Sequence, residues 1–311
     1  MNSPASYVVQ VPVSPPAKET VPTVTVVICT RNRPAPLGKC LEAVSRLNPP
    51  PDDVLVVDNS EGNRETELLA QKFSVRYIVE TVPGLSRARN RGMDESKTEI
   101  VAYLDDDSVP DEDWLEFILA QFTDPHVAVV TGESILPNSA TADVRREPLR
   151  SVTNQDRLWF EIATFGGLGV GNNMALRRTA CMDGAIFDVR LGRGAPIRIA
   201  EESHAFASLL ASGYRAVHVP AAIVFHPVTP EDIEQEASNS IAYWLLLFAE
   251  FPGHRLDLLR FLYKRLRRRP LTWHRNPQTA GKIIMSGWKV YLRAGLRGGT
   301  LFLRSWKSKA R

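Results

Sequence analysis

Between Val24 and Val130 the chain alternates two hydrophobic patterns. Val24 to Ile28, Val54 to Val57, Val75 to Val79, Ile100 to Leu104 and Val127 to Val130 are short, near-continuous apolar runs rich in Val and Ile. Such runs fit strands buried on both faces. Between them, Pro36 to Arg46, Glu65 to Phe73, Leu85 to Ser96 and Asp111 to Phe122 space their apolar residues at helical intervals. The alternation predicts an α/β domain with a mostly parallel central sheet and helices on both faces. Farther along, Ala200 to Leu210 reads as an amphipathic helix and Ala216 to Phe225 as another strand. Ile241 to Phe251 and Arg255 to Leu266 read as helices.

Ligands of such sheets sit beyond the carboxyl ends of the strands. The first run is followed there by Thr30-Arg31-Asn32-Arg33 and the second by Asp58-Asn59-Ser60. After the third comes Gly84 to Gly92 with Arg87, Arg89 and Arg91, and after the fourth Asp105-Asp106-Asp107. Three ionised carboxylates cannot all be buried unpaired, because each costs several kcal/mol in an apolar setting, of order ~2–7 for a polar group alone. Side chains alternate along an extended chain, so Asp105 and Asp107 point to one side and suit one hard divalent cation, Mg or Mn. The other reading is an acidic turn capping the helix that begins near Asp111. Arginines at the neighbouring strand end favour a metal-bound diphosphate.

Val26 to Arg33, Val56 to Asn59, Gly84 to Gly92 and Leu104 to Asp107 resemble, in order and spacing, the successive motifs of glycosyltransferase family 2. The resemblance runs from about Val24 to about Pro227 and implies the GT-A fold, a nucleotide-binding α/β sheet. By that resemblance Thr30 and Arg33 line the nucleotide pocket, Asp58 bonds the base edge, and Arg89 meets base or diphosphate. Asp105 and Asp107 match the metal-binding Asp-x-Asp motif. A carboxylate at Asp58 accepts the imide N–H of uracil or thymine, which favours a uridine or deoxythymidine diphosphate sugar; a guanine N–H also serves. For Thr30 and Asp58 the structural alternative is a helix or turn cap.

Gly166 to Gly171 has four glycines in six residues, which lets backbone approach a ligand closely. With Asn172 and Asn173 it resembles the family's loop against the transferred sugar or the acceptor, Gly171, Asn172 and Asn173 being the contacts; a lid without contacts is the other reading. Glu202 falls on the face of Phe206 and Leu209, whereas Glu201 lies about 100° round the helix. An inward carboxylate beside this loop is a credible general base. The family often has Glu-Asp here, the second acid taking the acceptor's proton; this chain has Glu-Glu and then His204, so the base lies between Glu202 and Glu201, with Glu202 ahead. In parts of the family a histidine after the next strand completes the metal shell, a place held by His226. As a ligand it must be neutral, with activity falling below about pH 6.

Composition adds little until the charge is divided. The 311 residues carry a net +3, but Pro252 to Arg311 holds sixteen Lys plus Arg against one acid, Asp257. The preceding residues hold 22 basic and 34 acidic. The basic segment interleaves Trp288, Tyr291, Phe302 and Trp306 with its cations. That suits an anionic membrane surface presenting a lipid-linked or cell-envelope acceptor, or else a helical extension with a solvated basic face. No nucleic-acid module accompanies it, so no nucleic acid is expected as a partner. The organisation read from this is a flexible arm over 1–22, a catalytic domain over 23–230 and a basic helical extension over 231–311. Three cysteines without metal spacing point to a reducing compartment, so a cytoplasmic protein is expected, peripheral on the inner face of a membrane if it meets one. The function expected is metal-dependent, inverting transfer from a nucleoside diphosphate sugar to an acceptor hydroxyl. The alternatives are a nucleotidyltransferase, whose glycine-rich phosphate loop with lysine is not seen after the first strand, and a binding protein on a transferase scaffold.

Overall fold

The computed structural model describes residues 21–181, 185–227, 233–268 and 277–297; nearly all of the expected N-terminal arm and the segment with Phe302 and Trp306 lie outside them. In chain order the elements are β1 (Val24–Thr30), α1 (Pro34–Val44), β2 (Asp53–Asp58), α2 (Arg64–Lys72), β3 (Arg76–Val79), α3 (Leu85–Glu95) and β4 (Ile100–Asp105). Next come β5 (Val109–Pro110), α4 (Trp114–Leu119), β6 (Val127–Ile135), β7 (Arg150–Val152), α5 (Trp159–Thr164) and β8 (Asn173–Arg177). The series ends with α6 (Glu201–Ala211), β9 (Arg215–Phe225), α7 (Ile233–Glu250), α8 (Arg255–Arg268) and α9 (Pro277–Arg297).

Local chemistry starts and stops these elements. Pro34 opens α1, where its fixed φ and missing N–H cost nothing. The Asn63 side chain accepts from the amides of Glu65 and Thr66 to cap α2. Gly92 lets α3 lie directly on β1, since a Cβ there would come within 2.5 Å of Val27. The expected helix over Asp111 to Phe122 is shorter: α4 covers Trp114–Leu119 and tightens into a 3₁₀ turn over Ala120–Thr123. Its acidic start is drawn off by Arg145, which donates to both Asp111 and Asp113 at 2.7 Å.

One sheet takes the strands in the order β3-β2-β1-β4-β8-β6-β9-β5, with β7 on β9. β1 to β4 pair in parallel, as do β6 and β9, whereas β8 runs antiparallel to both β4 and β6. Two antiparallel steps restore the direction, so β1, β2, β3, β4, β6 and β9 all end at one rim. That reversal positions the site. Because β8 enters from the rim, with Asn173 opposite Leu104, the glycine-rich run before it lies beside Asp105. His226, just past β9, arrives at the same rim.

Alternate residues of the strands face two cores. Val26 and Ile28 pack with Leu37, Leu41, Trp114 and Ile118 beneath α1 and α4. Val27 and Cys29 pack with Ala88, Phe160 and Phe206 beneath α3, α5 and α6. Ala242, Tyr243, Leu246 and Leu247 of α7 share that second core, so α7 is packed into the same body as the sheet. All three cysteines are buried and unbridged.

Candidate active site

A cleft of about 300 Å³ opens at the rim, lined by Thr30, Arg33, Asn59, Asp105 and Asp106 from the strand ends and by Arg193 and Arg198 from the segment before α6. The Asp triplet divides as strand alternation requires. Asp106 turns inward, almost fully buried, and accepts from Thr30 Oγ1 at 2.7 Å and from Arg33 at 2.7 Å. Burial pushes its carboxyl up to about 6 against those two partners. Asp105 and Asp107 face the other way and meet His226, with one ligand atom from each within 4.8 Å of the others. His226 Nε2 lies 2.9 Å from Asp107 and 3.9 Å from Asp105.

Asp107 also accepts from Arg33 at 2.6 Å. Desolvation raises its pKa, but the bonds from His226 and Arg33 outweigh it and hold the carboxyl well below the ordinary range. His226 is raised in turn, first by its bond to Asp107, against desolvation. Two carboxylates and an imidazole suit Mn or Mg, which take oxygen and tolerate nitrogen donors. A second group of ligand-type side chains, Asp188, His204 and Glu250, already has its cation, because Arg190 donates to both Asp188 and Glu250.

Asp58, at the end of β2, is fully buried. Its Oδ2 accepts from Tyr77 Oη and the Asn63 amide, both at 2.8 Å, whereas Oδ1 has no partner among the described residues. A buried carboxylate oxygen left unpaired is costly, and a ligand N–H would satisfy it. Asn59 holds the neighbouring loop by donating to the Glu80 and Val82 carbonyls and accepting from the Gly84 amide.

Arg89 departs from the sequence expectation. Rather than standing open to base or diphosphate, its side chain is 3% exposed and donates to Glu201 at 2.7 Å, the Gly171 carbonyl at 3.0 Å and Asp105 at 3.2 Å. It ties three parts of the site together from below. A Cβ on Gly171 would sit 2.8 Å from Arg89 Nη1, so this glycine is needed for the approach. Asn173 departs too. It is fully buried, accepts from Trp114 Nε1 at 2.8 Å and donates to the Glu133 and Ala222 carbonyls at 2.9 Å. Its amide is spent on joining β8 to its neighbours, leaving nothing for a sugar. Asn172 accepts from Ser134 at 2.7 Å.

At the start of α6 the two acids reverse their expected burial. Glu201 is 6% exposed, because Arg89 draws it inward, whereas Glu202 is half-buried. Among the described residues no other side chain hydrogen-bonds Glu202. Desolvation first, then the Glu201 carboxylate, pushes it up to about 7 against the pull of Arg89. A carboxyl poised near neutrality is what proton removal requires.

Sequence reading missed Arg193 and Arg198. Arg193 has no ion pair among the described residues and lines the cleft with Asp105 and Asp106. The available signal is Gly192-Arg193-Gly194: both glycines have positive φ, 90° and 85°, and Gly194 packs on Gly84. An arginine between two such glycines sits on a tight loop at the cleft.

Residues 25–184, just over half of the chain, match the family described as Glycosyl transferase family 2. Glycosyltransferase AglE of Haloferax volcanii is 32% identical over 149 residues, 45% of this chain and 49% of its own length. The pre-mycofactocin glycosyltransferase of Mycobacterium tuberculosis is 27% identical over 216 residues, 68% of this chain and 44% of its own. The chain thus spans about half the length of the curated relatives it matches. Among solved structures, a mannosyltransferase from Pyrobaculum calidifontis in complex with GDP-Man and Mn²⁺ aligns with TM-score 0.59 and 18% identity, over 93% of this chain and 79% of that one. S. aureus TarS 1-349 in complex with UDP aligns at 0.55 and 16%, over 81% and 73%. At these identities the likeness establishes the fold, which is GT-A.

Proposed function

The chain belongs to glycosyltransferase family 2, and on that premise we propose that it transfers a sugar, with inversion, from a nucleoside diphosphate sugar to an acceptor hydroxyl with the help of a divalent cation. The observation that carries this reading is the convergence of Asp105, Asp107 and His226 at a cleft that Asp105 lines together with Arg193 and Arg198. Asp58 Oδ1 accepts the imide N–H of uracil or thymine; guanine offers an equivalent N–H. UDP and dTDP sugars are therefore favoured, with GDP sugars next. The neighbours solved with GDP-Man and with UDP support a nucleotide-sugar donor.

Glu202, held near neutrality, takes the acceptor hydroxyl's proton as its oxygen attacks the anomeric carbon. The bond from that carbon to the diphosphate oxygen breaks on the opposite side, so configuration inverts and no covalent intermediate is needed. Mn or Mg held by Asp105, Asp107 and His226 would neutralise charge on the leaving diphosphate. Arg193 supplies a second positive charge, and Arg89 keeps Asp105, Glu201 and the glycine-rich run in register.

A donor panel of UDP, dTDP and GDP sugars, incubated with Mn²⁺ or Mg²⁺ and followed by release of nucleoside diphosphate, tests the reading. Consumption of one donor class, lost on chelation and in Asp107→Ala, is expected. Release that survives both treatments, or no release from any donor by the folded protein, counts against it.

A further inference from the structure

The last described helices carry large apolar side chains that are exposed. On α8, Leu256, Leu259 and Tyr263 are 67%, 48% and 60% exposed. Their three- and four-residue spacing puts them on one face. The opposite face is docked: Leu258 is fully buried, and Phe261 stacks on Phe165 with ring centroids 3.9 Å apart. On α9, Ile283 and Ala294 are buried, and Gly287 lies so close to Ile241 of α7 that a Cβ would meet it at 2.6 Å. Away from that contact, Ile284, Met285, Trp288 and Leu292 are all exposed. A helix that is apolar on its free face as well as its docked face is shaped for a second partner.

The charge selects that partner. Arg260, Lys282, Lys289 and Arg293 flank the apolar faces and are exposed, in a segment holding sixteen basic residues and one acid. A second copy would bring the same positive face against this one and be repelled. Nucleic acid would satisfy the cations but leave Leu, Ile and Met in water. An anionic bilayer takes both, with phosphates for Lys and Arg, the acyl boundary for the aliphatic side chains, and the headgroup layer for Trp and Tyr. No described helix is long and apolar enough to cross a membrane, so contact would be from one side.

We propose that the free faces of α8 and α9 seat the protein on an anionic phospholipid surface. α8 also packs on the segment that leads into the glycine-rich run. Its Phe261 stacks on Phe165, the residue immediately before the glycine-rich run, and His254 at its start stacks on Phe160 of α5 at 4.3 Å. On the transferase reading, which this step rests on, the docked surface holds that run where a membrane-borne acceptor arrives.

The test uses the full chain, without donor, and vesicles of phosphatidylcholine alone or mixed with phosphatidylglycerol, read by co-sedimentation. Binding to the mixed vesicles only, weakened by salt, is expected. Leu256→Ser with Leu259→Ser, and Met285→Ser with Trp288→Ser, each lower the partition by about tenfold or more, and Lys282→Ala or Lys289→Ala by about fivefold each. All these side chains are exposed, so unchanged melting temperatures confirm intact variants. No binding, equal binding to both vesicles, or indifference to the Ser substitutions overturns the proposal. So does a dimer in sedimentation equilibrium that the Ser substitutions dissociate, or duplex DNA binding that they leave unchanged. Because donor is absent, such a failure leaves the transferase reading standing.

Discussion

Replacing Glu202 by Gln separates catalysis from stability, with opposite signs for the two. The Glu202 carboxyl rises from 4.5 to about 7 in the folded chain. Between those values the folded state binds more protons than the unfolded one, so this group's contribution to stability falls as pH rises through the window. Above it, the ionised side chain opposes folding by about 3 kcal/mol at most, and by about 1–2 kcal/mol once its partial exposure to solvent is allowed for. Gln has the same shape and no charge. Glu202→Gln is therefore more stable than the parent at pH 8 by about 1–2 kcal/mol, a gain of roughly 2–6 °C in melting temperature, and nearly equal to it at pH 4. Turnover moves the other way, falling about 10²- to 10⁴-fold with donor binding retained. Parent turnover rises with pH through about 7 as Glu202 ionises. Thermal melts at both pH values, nucleotide titration and product release are the assays. Unchanged turnover removes Glu202 as the base, and a variant less stable at pH 8 refutes the electrostatic argument.

Arg193→Ala should weaken nucleoside diphosphate binding by about 10- to 100-fold, the worth of a hydrogen bond to a charged group, and leave nucleoside binding unchanged; an equal loss for both places Arg193 away from the diphosphate. Arg89→Met should cost about 3–5 kcal/mol in denaturant unfolding at neutral pH, because Glu201 and the Gly171 carbonyl lose a buried cation. Full stability in that variant would show the three contacts to be idle. Asn173→Ala should cost about 2–4 kcal/mol by stranding Trp114 Nε1 and two carbonyls. Turnover per folded molecule, measured at low temperature, should stay within about twofold of the parent, because the amide reaches no ligand; a collapse of that turnover would return Asn173 to the sugar site.

The legible parts of this chain are those fixed by short-range rules. Apolar runs such as Val26 to Ile28 fit strands buried on both faces, and alternation sends Asp105 and Asp107 one way and Asp106 the other. The structure brings His226 to them, as the family resemblance implies. What pattern alone could not assign was which polar groups are spent inside the protein. Asn172 and Asn173 look alike in sequence, yet β8 runs antiparallel and turns Asn173 into the body against Trp114. Arg89 and Glu201 each looked solvent- or ligand-facing, but they find one another 112 positions apart, which helical spacing does not encode. Arg193 was passed over because its loop carries neither period; only the paired glycines mark it.

The most direct test of the central claim is calorimetric titration of UDP, dTDP and GDP into the full chain, with Mn²⁺ and again with chelator, for the parent and for Asp107→Asn. The account predicts that at least one nucleotide binds at least about tenfold more tightly with Mn²⁺, and that Asp107→Asn erases that increment. Binding that is equal with and without metal, or an increment that survives Asp107→Asn, would contradict it.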